Sequence, residues 1–128
     1  MQIKHAREPG TPSELRTDTF TGEVWADTLL VKTNDVMVNN VFFAPGARTH
    51  WHKHAAGQVL HVVGGEGRAC VRGGKPETIR MGDVVFFPPG EEHWHGASSD
   101  TFMLHLAISL GASTDWLDPV SEEDYGAA

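Results

Sequence analysis

Apolar residues in this chain come in runs of only four to eight, many of them alternating with polar residues, and glycine or proline closes most runs. That period of two predicts strands rather than helices. The turn signal Glu8-Pro9-Gly10-Thr11-Pro12-Ser13 separates a short N-terminal strand within 1–7 from the body. Residues 20–31 read as extended with an interruption near Ala26-Asp27, and 36–44 as a stronger strand stopped at Pro45-Gly46. The β-branched run 58–63 ends at Gly64-Gly65, and 67–72 ends at Gly73-Gly74, a hairpin signal. Strands at 77–80 and 83–87, the turn Pro88-Pro89-Gly90, and strands at 93–97 and 101–109 complete the series. Short strands at even spacing predict an all-β sandwich or closed barrel, because closure removes exposed edges. The tail differs. Ser121-Glu122-Glu123-Asp124 reads as the start of a short C-terminal helix, capped by Ser121 with acids in its first turn, and Trp116, Leu117 and Val120 are expected to pack it on the barrel.

A length of 128 residues supports one domain spanning 1–128. The net charge of −7, with Lys and Arg scattered singly, speaks against nucleic acid or an anionic membrane surface as partner and leaves a small organic molecule. No run approaches the roughly 18 apolar residues of a membrane span. The start lacks the apolar stretch of a secretory signal and the single cysteine, Cys70, cannot form an intrachain disulfide, so a cytoplasmic protein is expected. Cys70 reads as a small packed residue in its strand rather than a reactive thiol. The segment 1–7 is not needed for one barrel and is expected to pair with the sheet of a second subunit, in a homodimer or homotetramer.

The chemistry concentrates in "HWHKHAAGQ", residues 50–58, and in His93. In a strand, side chains at i and i+2 share a face, so His52 and His54 can aim at one point, with Gln58 and His93 closing the set. Imidazole nitrogens with one amide oxygen suit a divalent first-row metal such as manganese, iron, nickel or zinc, with open positions for a substrate. His95 shares a face with His93, and His105 falls on a later strand in the parity of Met103 and Ala107, so both are expected to line the cavity. An unperturbed imidazole titrates near ~6.5, which would make either a proton shuttle, or else a partner that orients a ligand. His50 has the parity of His52 and either adds an imidazole near the metal or faces solvent. His61 has the parity opposite to Gln58 and is expected to point outward.

Gly46, His52, His54, Gln58 and Gly65, in that spacing, resemble the first cupin motif, with Gln58 where most members carry glutamate. Gly82, Pro88, Pro89, Gly90 and His93 resemble the second, with Ala97 where that motif usually ends in asparagine. The two motifs cover 46–65 and 82–97. The resemblance implies a double-stranded β-helix, or jelly-roll, barrel. The wording of "PGARTHWHKHAAGQVL", "GDVVFFPPGEEHWHGA" and "MLHLAI" is similar to small single-domain bacterial cupins, among them the manganese-dependent hydroxynitrile lyases, and to cupins associated with carboxymuconolactone decarboxylase-like proteins. For this chain the resemblance implies manganese on His52, His54, Gln58 and His93, with His95 and His105 as further pocket histidines. It also implies cleavage of a cyanohydrin to an aldehyde or ketone and cyanide.

The residues read the same way in chemical terms. A metal with open positions acts as a Lewis acid on a substrate oxygen, His105 or His95 moves the proton, and Val41, Phe43, Leu60, Phe86 and Met103 are expected to line the pocket and keep water out. The expected reaction is therefore carbon–carbon cleavage or addition next to an oxygen. Two alternatives stand beside it: a metal-dependent dioxygenase using the same ligands with iron, and a small-molecule-binding cupin without catalysis.

Overall fold

The computed structural model describes residues 1–6, 8–111 and 113–126. Its elements in chain order are β1 (Glu14–Arg16), β2 (Phe20–Thr21), β3 (Val24–Thr33), β4 (Val36–Phe43), β5 (Arg48–Thr49), β6 (His52–His54), β7 (Gln58–Val71), β8 (Glu77–Arg80), β9 (Val84–Phe87), β10 (His93–Ala97), β11 (Met103–Leu110), β12 (Thr114–Trp116) and α1 (Glu122–Gly126). One face of the barrel runs β1-β3-β4-β11-β7-β9, and the other joins β2, β5, β10, β7 and β8, with β6 lying between β10 and β12. Every pairing is antiparallel. The all-β barrel with a short C-terminal helix is the expected architecture.

Strand β7 holds the two faces together. Gln58, Leu60 and Val62 point inward while His61 and Val63 point out, the period of two read from the sequence. The predicted end at Gly64-Gly65 is instead a bend inside one continuous strand. Gly65 has φ +72°, and a Cβ there would collide with the Phe102 carbonyl oxygen. Opposite this point the register with β11 slips between Leu104 and His105, and β7 leaves one face of the barrel for the other.

The predicted interruption at Ala26-Asp27 falls instead at Gly22-Glu23, between β2 and β3. Gly22 has φ +83°, and its Cα packs so close to Ala47 that a Cβ would sit 2.9 Å from it. Residues 1–6 form no strand, contrary to the sequence reading, and Arg7 lies outside the described residues.

Alternation is cleanest in β11, where Met103, His105, Ala107 and Ser109 are buried and the residues between them only partly so. Val24, Phe43, Leu60, Val62 and Met103, all fully buried, anchor the main core. Burial of such side chains stabilises by about 1.5–3 kcal/mol each. A second cluster of Trp51, Cys70, Trp94, Val120 and Tyr125, with Leu117 against it, seats the tail.

Ser121 caps α1 as predicted, its Oγ accepting from the Asp124 N–H at 3.0 Å. Tyr125 then donates to the Ala97 carbonyl at 2.7 Å, and Arg48 and Arg68 lie over its ring at 4.5 and 4.6 Å. Trp116 does not pack the helix. It belongs to β12 and lies 4.6 Å from the His52 ring. No helix among the described residues is long and apolar enough to cross a membrane.

Candidate metal centre

The two cupin-like segments fold against one another through β6 and β10, whose register sets His93 opposite His52. Pairing of β12 with β6 sets Thr114 opposite His54, and pairing of β11 with β7 sets Ser109 opposite Gln58. His93 thereby joins His52, His54 and Gln58 in one buried place. The rings of His52 and His93 are 4.3 Å apart, those of His52 and His54 5.1 Å, and Gln58 Oε1 is 3.0 Å from His93 Nε2. His95 joins them, for ring nitrogens of His52, His93 and His95 all lie within 4.8 Å of one another. This buried histidine cluster can hold one metal ion.

Hydrogen bonds on the outer side of the rings show how well the donors fit. His52 Nδ1 donates to the His50 carbonyl and His93 Nδ1 to the Glu91 carbonyl, both at 2.9 Å. A carbonyl only accepts, so these neutral rings carry their proton on Nδ1 and turn an Nε2 lone pair to the centre. His54 Nδ1 pairs with the Thr114 hydroxyl at 3.1 Å, which leaves its buried Nε2 with no partner. Gln58 Nε2 donates to Ser109 Oγ at 3.2 Å, which turns Oε1 inward against His93 Nε2. The lone pairs of His52 and His93, the unpartnered Nε2 of His54 and an amide oxygen thus face one another, an arrangement that a cation would stabilise. Burial holds the pKa of His52 well below the ordinary imidazole value, lowers that of His54, and brings His93 to about 4. Neutral rings are the form that a metal needs.

Behind the cluster His105 Nε2 and His95 Nδ1 share a hydrogen bond of 2.9 Å. Burial pushes His95 well below its ordinary value and His105 to about 4. The expectation that either titrates near neutrality is therefore corrected: both are neutral at pH 7, each with one N–H and one lone pair. His95 Nε2 lies buried and unpartnered on the cluster side.

An inner cavity of about 80 Å³ contains this chemistry, lined by His52, His54, Gln58, His95 and His105. Of the predicted pocket residues only Val41 lines it. Phe43 packs its ring 5.2 Å from that of His105, and Leu60 and Met103 lie in the apolar core beside it. Phe86 is misassigned. It is 58% exposed on the outer face of β9, while its neighbour Phe87 turns inward and stacks on the His93 ring at 3.6 Å. The pairing Gln58 with Phe87 fixes that parity, which the apolar run Val84–Phe87 does not reveal. His50 offers its carbonyl to His52, and burial lowers the pKa of its partly exposed ring, against a smaller opposing effect of Asp118. His61 faces outward as expected. Residues that the sequence reading missed are Asn39, Thr49, Ser109 and Thr114, polar groups on inward positions of strands. Their parity with known inward residues, Asn39 with Val41 and Ser109 with His105, was the available signal.

Comparison with known proteins agrees with this architecture. A family model described as the cupin domain matches residues 39–109. The chain is 48% identical over 113 residues to an (R)-mandelonitrile lyase from Granulicella tundricola, covering 84% of this chain and 86% of that one. It superposes on a cupin-like protein from Thermotoga maritima with a TM-score of 0.82 and 42% identity, over 86% of this chain and 87% of that one. A polyketide cyclase from Streptomyces resistomycificus shares the fold at TM-score 0.75 and 17% identity, over 97% and 91% of the two chains. The motifs, the barrel and these relatives agree, and the chain belongs to the cupin family.

Proposed function

We propose that this protein is a metal-dependent lyase that cleaves a carbon–carbon bond next to an oxygen, taking a cyanohydrin to an aldehyde or ketone and hydrogen cyanide. The observation that carries this reading is the inward convergence of Nε2 of His52, His54 and His93 with Gln58 Oε1, beside the buried His95–His105 pair. The (R)-mandelonitrile lyase relative supports the substrate class.

His52, His54, Gln58 and His93 would hold the metal, because each has its outer polar atom tied to an oxygen. His95 differs, its Nδ1 being tied to a second imidazole. Manganese suits the mixed nitrogen and oxygen donor set. When bound, the metal supplies Lewis acidity to a substrate oxygen. His95 Nε2 is placed to take the hydroxyl proton as the carbonyl forms and the carbon–cyanide bonding pair departs with cyanide, and then to return that proton to cyanide. His105 holds the His95 ring in place and keeps one proton between the two. Phe43 and Phe87 shield the rings from water. The buried free thiol of Cys70 suits a reducing, cytoplasmic setting.

The test is elemental analysis of the purified protein followed by mandelonitrile cleavage with and without the metal found. Near one manganese per chain, with cleavage lost on chelation and restored by manganese, is the expected result. Metal-loaded protein that leaves mandelonitrile intact overturns the reading, and oxygen consumption by an iron-loaded form would replace it with a dioxygenase.

A further inference from the structure

Asn39 stands where two cavities meet. The inner histidine cavity of about 80 Å³ opens on an outer vestibule of about 430 Å³, and Phe20, Met37, Asn39, Val41, Thr114 and Trp116 line both. On β4, Asn39 lies between the apolar Met37 and Val41 on the inward face, and its cross-strand neighbour on β11 is Ala107. None of these side chains can donate a hydrogen bond. Thr28, its neighbour on β3, does carry a hydroxyl, yet Asn39 Oδ1 is buried without a partner among the described residues. A buried amide atom left unserved costs about 1–3 kcal/mol, so a group retained in that state at a cavity neck points to a ligand.

Size and shape indicate how a substrate lies. The inner cavity, about 80 Å³ against about 430 Å³ for the vestibule, is the smaller of the two and suits a hydroxyl and the carbon bearing it. A planar apolar substituent must stay in the vestibule, where Phe20 and Trp116 stand 5.6 Å apart at 56°. A hydroxyl at His95 with the ring in the vestibule would set the nitrile at the neck that Asn39 lines.

We propose that Asn39 is a catalytic residue for the reaction above, its amide N–H donating to the nitrile nitrogen as the carbon–carbon bond breaks. This rests on the lyase reading. No hydrogen bond of Oδ1 fixes the orientation of the amide, so it can turn the N–H group to a nitrile. As the bonding pair moves onto cyanide, negative charge grows on the group that Asn39 touches, and a donor there stabilises the transition state more than the ground state. The preferred substrates are α-hydroxynitriles with an aromatic substituent.

The experiment compares manganese-loaded wild type, Asn39→Ala and Asn39→Asp in mandelonitrile cleavage, with bound metal and thermal melting measured on each. Expected are a fall in kcat of about tenfold or more for Asn39→Ala, with KM changed less, metal content retained, and a melting temperature equal to or above wild type because the unserved oxygen is gone. Asn39→Asp, which offers only acceptors, should fall further. Wild-type cleavage with Asn39→Ala within twofold of it, or with Asn39→Asp as active as wild type, overturns this role and leaves the lyase reading standing. Metal-loaded wild type without cleavage overturns both.

Discussion

His105 Nε2 and His95 Nδ1 lie 2.9 Å apart where both rings are sealed from solvent, so one proton must sit between two nitrogens. The far nitrogen of His95 reaches the metal-competent cluster, and the far nitrogen of His105 has no partner among the described residues. The pair is asymmetric: one ring meets the chemistry and the other holds it there.

That asymmetry separates proton transfer from metal binding. His95→Phe should lower kcat by about 100-fold or more while one metal per chain remains, the range set by loss of a placed proton acceptor. His52→Ala should lose the metal. Elemental analysis of both variants checks this, and loss of metal from His95→Phe would move His95 into the ligand set.

Ser109 should govern metal affinity through Gln58. Its hydroxyl accepts from Gln58 Nε2 at 3.2 Å and so turns the amide oxygen inward. Ser109→Ala removes that anchor and is expected to weaken metal binding by about 10-fold, with Ser109→Thr restoring it. Competition against a chelator of known affinity measures the change, and equal affinity in Ser109→Ala would refute the role.

Acid should destabilise the metal-stripped protein before its carboxylates titrate. Burial holds folded His105 at about 4, against ~6.5 in the unfolded chain. Between these values the unfolded state binds more protons. The stability tied to the neutral ring is therefore complete above ~6.5 and is lost progressively as pH falls toward 4, about 2 kcal/mol of it by pH 5. Urea unfolding at pH 7.5 and pH 5 should show the loss, and His105→Leu should reduce it, the lowered pKa values of His52, His93 and His95 accounting for what remains. Equal midpoints for the parent protein would count against it.

The outer surface predicts self-association. Trp25, Val63, Val84, Phe86 and Phe102 are exposed on or beside the face built on β3, β4, β11, β7 and β9, where Phe42 and Phe102 stack at 5.7 Å. We propose that a second copy covers this face. Light scattering should give at least twice the 14.0 kDa chain mass, and Trp25→Lys should reduce it. A monomeric mass for the parent protein refutes the proposal.

The histidine spacing made much of the site legible, because a period of two fixes which of His52, Lys53 and His54 share a face. Gln58 and His93 followed from the motifs. Pocket walls were less legible. In an apolar run such as Val84–Phe87 no polar residue marks the outer face, so Phe86 and Phe87 could not be told apart until pairing with Gln58 settled the parity. Glycine pairs misled for a related reason: Gly73-Gly74 ends a strand, while Gly64-Gly65 lets a strand bend past Phe102 and continue. Both uses need a residue without a Cβ. The turn Asn34-Asp35, with φ of +51° and +61°, carried a hairpin signal of its own between β3 and β4.

Because β7 passes unbroken from one face of the barrel to the other, Gln58 at its first residue and Arg68 over the Tyr125 ring belong to the same rod. The candidate metal centre at one end and the seat of the C-terminal helix at the other thus share one strand, with the bend at Gly65 between them. A library of improved variants should therefore leave 64–67 untouched, together with Asn39 and Thr114, and vary the other residues that line the vestibule.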